Sequence, residues 1–238
     1  MRAGLRLATQ VPRDMIRVQI GRPLRLTVVG TPDYFERHGT PLKAKILGYI
    51  GNLSKFASPL APLANLGASL INGPILGIDS RRNLPKWRSD TLAKIAKADP
   101  GAEVVLYNDT FSNHYDPEIG LDAMEVLRRA GCKVDLVRPG CCGRPMISQG
   151  LLRDARENAA RNVQLLYPLA KSGKTILFCE PSCLSAFKED YPSLLRGEQR
   201  EQAKAVAKAC QLWDAYAATL DLPLNAGPKR ILLHGHCH

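Results

Sequence analysis

The residues best suited to chemistry in this chain are cysteines, and their placement is unusual. Cys141 and Cys142 are adjacent and followed by Gly143, Cys179 and Cys183 flank Glu180-Pro181-Ser182, and Cys237 sits in His234-Gly235-His236-Cys237-His238. Adjacent cysteines are poorly placed to bond each other. On a tight turn, however, both thiolates can reach one metal or cluster, and Gly143 supplies a residue that accepts positive φ and close backbone approach. Thiolates are preferred ligands of zinc and of iron–sulfur clusters, which take about four each. Cys141, Cys142, Cys183 and Cys237 would make up that number. The alternative is that they are small buried hydrophobes, as free cysteine often is. Cys132 and Cys210, in helix-end or helical contexts, fit that description, and Cys179 fits either.

The elements that position these residues alternate. Glu103–Tyr107, Lys133–Val137, Lys174–Phe178 and Arg230–Leu233 are short β-type runs. Between them fall helical patterns at Glu118–Ala130 and at about Ser148–Ala170 with Ser148 as cap, both with apolar residues at three- and four-residue spacing, and a further helix at Glu198–Leu220. Such alternation predicts an α/β fold with an open, mostly parallel, Rossmann-like sheet carrying helices on both faces. Open α/β sheets place their sites at the carboxyl ends of strands. Asp109–Asn113, Cys141-Cys142-Gly143, Cys179 with Cys183, and the terminal histidines with Cys237 all follow predicted strands.

The remaining chain is less regular. Pro12, Pro23, Pro32 and Pro41 interrupt residues 1–41, which read as irregular. From 42 to 78 the chain is apolar but broken by glycine and proline, predicting an N-terminal arm of short helices. That arm either packs on the domain behind it or touches a membrane interface through Lys43, Lys45 and Lys55. Residues 81–100 read as a polar connector.

Composition excludes several classes. Of 238 residues, 45% are apolar and 23% charged, which argues against disorder and against a membrane-embedded chain. Lys and Arg number 33 against 22 Asp and Glu, a formal +11, but they are spread along the chain without a nucleic-acid-binding signature. An odd cysteine count of seven with one adjacent pair is not a disulfide framework. With neither a signal peptide nor a long uninterrupted apolar span in view, a cytoplasmic setting with reduced thiols is expected. Ser172-Gly173-Lys174-Thr175 lacks the upstream glycine of a phosphate loop, and its lysine opens a strand. His114 reads as a surface or turn residue.

Cys141-Cys142-Gly143, Glu180-Pro181-Ser182-Cys183 and His234-Gly235-His236-Cys237-His238, in that order, resemble the cysteine-rich CCG domain family. That family includes heterodisulfide reductase subunits, iron–sulfur subunits of glycolate, lactate and glycerol-3-phosphate dehydrogenases, and the carboxyl-terminal halves of fused flavin-linked oxidases. The resemblance covers roughly residues 42–238. It implies a 4Fe-4S-type cluster on Cys141, Cys142, Cys183 and Cys237, with Gly143 shaping the loop. It also implies an FAD-binding dehydrogenase domain or subunit, a ferredoxin-type domain, and a quinone or other acceptor as partners. Because the CCG unit normally occurs twice, the chain is expected to be a fragment: 1–41, a remnant of a ferredoxin domain end; 42–100, helical arm and linker; 101–229, the first repeat; 230–238, the start of a truncated second. Two departures stand out. Thr110 occupies the position of the family's first cysteine, and three residues, not two, separate Cys179 from Cys183.

The expected function is therefore electron transfer within an FAD-linked 2-hydroxyacid dehydrogenase of the glycolate or D-lactate type. The chain would be part of an oxidoreductase without catalysing alone, cytoplasmic, with a peripheral contact on the inner membrane face as a further expectation. The alternative is a non-redox zinc-binding or scaffolding module. A thiol-redox enzyme acting through Cys141 and Cys142 is disfavoured because no base stands near them in sequence.

Overall fold

Val104–Tyr107 (β4), Val134–Val137 (β5) and Thr175–Phe178 (β6) are short runs of β-branched and large apolar residues, and all three form strands. The computed structural model describes residues 4–7, 18–19, 26–29, 39–71, 73, 77–79, 81–82, 84–222 and 227. The chain divides into two compact units, Met1–Lys45 and Ile46–His238. The first contains three short antiparallel strands, Gly4–Leu7 (β1), Val18–Gln19 (β2) and Leu26–Val29 (β3), in the order β1-β3-β2. This corrects the irregular reading of residues 1–41: in sequence Pro12 and Pro23 fall between these strands and Pro32 and Pro41 after them, so none falls within a strand.

The second unit is built on a parallel sheet in the order β5-β4-β6-β7, where β7 is Cys210–Leu212. Alternate residues separate two cores, as the two-residue period of a strand demands. Val104, Leu106, Val134, Leu136 and Leu177 face Ala123, Met124 and Leu127 of a helix at Pro117–Arg129. Tyr107, Ile176 and Phe178 face the opposite side, against Ala159, Val163 and Leu166 of a twenty-residue helix, Leu152–Lys171, and Ala203 and Val206 of another, Gly197–Ala209. The α/β architecture with helices on both faces is as expected.

Two local expectations are corrected. The helix predicted at Glu198–Leu220 ends at Ala209. Cys210 turns extended (φ −89°, ψ 136°) and pairs with Ile176, and a short helix, Trp213–Ala217, follows. The open edge of β6 takes up Cys210–Leu212, and that pairing together with burial of Cys210 outweighs the helical period. Ser148 does not cap the long helix. It ends a five-residue helix, Arg144–Ser148, and Gly150 at φ 76° separates this from Leu152. The strand predicted at Arg230–Leu233 lies outside the described residues, as do Cys237 and its histidines.

The arm consists of Leu42–Gly48 (α1), Ile50–Ala57 (α2), a 3-10 turn at Ser58–Leu60 and Ala61–Ile71 (α3). Its inner side docks through polar contacts. Ser54, fully buried, accepts from Trp87 Nε1 (3.0 Å) and lies 2.9 Å from Tyr115 Oη; Ser58 Oγ lies 2.7 Å from His114 Nδ1. Its outer side leaves Leu53, Phe56, Leu60, Leu63 and Leu66 exposed.

Candidate functional site

The predicted site residues that the structure describes, Cys141, Cys142, Gly143 and Cys183, lie beyond the carboxyl ends of β5 and β6. In the strand order β5-β4-β6-β7 the chain first runs outward from β4 to β5 and then crosses back to β6, so the crevice beyond β4 and β6 is the topological switch point.

The Cys141-Cys142-Gly143 loop follows β5 and lies beneath the long helix. Gly143 has φ 78°, and a Cβ on it would come 2.9 Å from Asn158 Nδ2, so both conformation and space require glycine. Polar side chains hold the loop. Asn158 Nδ2 and Asn162 Nδ2 each donate to the Cys141 carbonyl at 2.9 Å, Tyr191 Oη donates to the Cys142 carbonyl at 2.7 Å, and Tyr107 Oη donates to the Gly140 carbonyl at 2.9 Å. Asn162 Nδ2 also donates to Tyr191 Oη at 2.8 Å. None of these four residues was singled out from sequence. Their signal was present: Asn158 and Asn162, four residues apart, interrupt the apolar stripe of Ala155, Ala159, Val163 and Leu166.

Cys183 arrives from a short helix, Pro181–Ser185, that follows β6. Glu180 caps it, accepting from the Ser182 N–H. Cys183 Sγ lies 2.9 Å from Cys142 Sγ, and both residues are almost fully buried. Cys141 adjoins them, with its Sγ accepting from the Gly143 N–H at 3.4 Å. Thr110 hydrogen-bonds to Cys141 and so belongs to this group. Cys179 does not: it packs against the opposite core, beside Trp213 and Asp214. Cys132 also packs on that core, and Cys210 is buried within β7.

The thiols are held neutral. The hydrogen bond with Cys142, reinforced by burial, raises Cys141 well above the ordinary thiol range. For Cys142, the hydrogen bond from Cys141 lowers the value, but the Cys183 contact and burial outweigh it and the result is raised well above normal. For Cys183 the Cys142 hydrogen bond lowers the value, but burial and the charge of Asp109 outweigh it, so this thiol too ends above normal. Burial pushes Cys179 and Cys210 to about 12. Converting such thiols to thiolates requires a cation among them, because an unpaired buried charge is costly.

Among the described residues no group of three or more His, Cys, Asp or Glu side chains has the arrangement of a metal-ion site. The donor chemistry nevertheless suits a thiolate-bound group: soft ligands from two strand ends, backbone N–H groups directed at sulfur, and walls of Tyr107, Phe187 and Tyr191 that exclude water. Three donors are one short of the usual number.

His114, read from sequence as a surface or turn residue, is buried. Burial and the nearby Lys55 charge lower its pKa from 6.5 to about 4.

The chain is similar to a subunit of the anaerobic glycerol-3-phosphate dehydrogenase of Escherichia coli (strain K12), at 26% identity over 211 residues, covering 83% of this chain and 53% of that protein. It is also similar to lactate utilization protein A of Bacillus velezensis, at 29% over 150 residues (57% and 58%), and of Oceanobacillus iheyensis, at 25% over 142 residues (57% and 56%). The chain spans about half the length of these curated relatives. No family model and no solved structure matches it. The chain is thus related in sequence to one subunit of a dehydrogenase and to lactate utilization proteins.

Proposed function

We propose that this chain is the iron–sulfur electron-transfer component of an FAD-linked 2-hydroxyacid dehydrogenase. The observation that carries the reading is the meeting of Cys141, Cys142 and Cys183 from two strand ends at one edge of the sheet. Cys237 would be the fourth ligand. When bound, a 4Fe-4S-type cluster supplies single-electron storage and transfer. The chain's own residues orient the sulfurs through Asn158, Asn162 and Tyr191, donate N–H groups to them, and keep water out. No substrate bond is made or broken here.

In this proposal the flavin sits on a separate domain or subunit, electrons enter through a ferredoxin-type domain, and a quinone or other acceptor takes them away. Residues 101–229 form one cysteine-rich repeat, 230–238 begin a second, 42–100 are arm and linker, and 1–41 end an upstream domain. No helix among the described residues is long and apolar enough to cross a membrane. A peripheral contact is proposed for the arm, because exposed Phe56, Leu60 and Leu63 stand beside Lys55 in a stretch that carries no acidic residue.

The test is metal analysis of the chain prepared anaerobically and extended to the full length of its relatives. Iron and acid-labile sulfide are expected. Zinc at about one per chain without iron would overturn the electron-transfer reading in favour of a structural site.

A further inference from the structure

A pocket of about 420 Å³ opens beyond the carboxyl ends of β6 and β7, with the helix at Pro117–Arg129 forming a further wall. Open α/β sheets hold ligands in crevices of this kind, and the volume suits a small molecule more than a single ion. Cys141, Cys142 and Cys183 do not line it.

Most of the wall is apolar. Ile119 and Val126 come from one face of the helix, Phe178 from the end of β6, and Leu212 with Trp213 from the end of β7. Trp213 is fixed in place: its Nε1 donates to the Ala123 carbonyl at 3.1 Å, so the indole enters the wall with its polar edge already paired. Ile119 is left 50% exposed, apolar surface that a ligand could cover.

The charge of the wall runs against that of the chain. The chain carries a formal +11, yet no lysine, arginine or histidine among the described residues lines the pocket, whereas Asp122 and Asp214 do. Asp122 shares the helix face of Ile119 and Val126, three and four residues from them, and Asp214 directly follows Trp213. Both aspartates are exposed, and neither is in an ion pair among the described residues. The negative field reaches Cys179, another wall residue: burial first, then the charges of Asp109, Asp214 and Glu180, push its thiol up to about 12.

We infer that this pocket binds a small organic ammonium ion with an aromatic body, the ring against Trp213, Phe178 and Ile119 and the charge beside Asp122 and Asp214. A carboxylate would meet two like charges with no counter-charge in the wall. A neutral molecule would gain the apolar area alone, whereas a cation next to indole and carboxylate gains attraction from both. A bare metal ion would find two carboxylates and an apolar surface, too few oxygens for calcium or magnesium. Since the chain as a whole repels cations, the attraction has to be local. The inference is independent of whether the cysteines hold a cluster.

The test is calorimetric titration of the chain, in low-salt buffer at neutral pH, with phenethylamine, phenethyl alcohol and hydrocinnamate, which share a ring and differ in charge. Phenethylamine should bind saturably and about tenfold more tightly than the alcohol, and hydrocinnamate should not bind. Ethylamine, which keeps the charge and lacks the ring, should also bind about tenfold more weakly than phenethylamine. The double variant Asp122→Asn, Asp214→Asn, altered only at exposed positions, should keep its circular dichroism spectrum and lose the preference for amine over alcohol. No saturable binding of phenethylamine, equal or tighter binding of the alcohol, the acid or ethylamine, or an undiminished amine preference in the folded double variant would each overturn the inference.

Discussion

Gly51→Ala tests how closely the arm presses on the cysteine loop. Gly51 lies inside α2, and a Cβ placed there would come 2.5 Å from Cys141 Cβ, 3.1 Å from Cys141 Sγ and 3.1 Å from Thr110 Oγ1. The first contact is with the root of a side chain, which cannot swing aside without moving the loop. Overpacking of this kind costs about 1–3 kcal/mol. Against it stands the gain of about 1 kcal/mol from replacing glycine by alanine inside a helix. Gly67→Ala isolates that gain, since Gly67 lies in α3 with nothing within 4 Å of an added Cβ. Urea denaturation should therefore find Gly67→Ala stabilised by up to about 1 kcal/mol and Gly51→Ala less stable than Gly67→Ala by about 1–3 kcal/mol. Cys141 in the Gly51 variant should also react faster with an aromatic disulfide reagent. Two variants stabilised alike, with unchanged thiol reactivity, would refute the packing of arm on loop.

Tyr191→Phe removes the donor to the Cys142 carbonyl and the acceptor for Asn162, leaving buried groups underpaired. A loss of about 2–3 kcal/mol in urea denaturation is expected, and an unchanged midpoint would contradict the tie. The pKa of His114 is depressed in the folded chain, from 6.5 to about 4. The unfolded chain therefore takes up the proton first as pH falls, and stability is lost between about 6.5 and 4, by roughly 1–3 kcal/mol from this group. Denaturation at pH 7.5 and 4.5 should show that loss in the native chain and a smaller one in His114→Gln; identical losses would remove His114 from the account.

Much of the sheet was legible because β4, β5 and β6 are short apolar runs between turn residues, and the helix at Pro117–Arg129 carries its core residues at regular spacing. β7 was not, since Cys210–Leu212 continues the period of a preceding helix and becomes a strand only through its pairing with β6. The cysteines themselves could be marked from spacing, but their grouping could not. Cys179 and Cys183 differ by four residues and pack on opposite sides of the sheet, because the first directly follows β6 and the second sits in the helix beyond it. The hydrogen bonds linking Asn108, Asn113 and His114 were missed for a related reason. Polar residues after a strand look like an exposed turn until the arm, through Ser54 and Ser58, is seen to cover them.

The central claim is that Cys141, Cys142 and Cys183 are ligands and Cys210 is packing. The most direct measurement is the visible absorption of the chain extended to the length of its relatives, prepared anaerobically, with Cys142→Ser and Cys210→Ser compared side by side. A hydroxyl is a weak substitute for thiolate toward iron, so Cys142→Ser should abolish or strongly diminish sulfur-to-iron charge-transfer absorption while Cys210→Ser leaves it intact. Equal spectra from the two variants would mean that the buried cysteines are core residues and not a site.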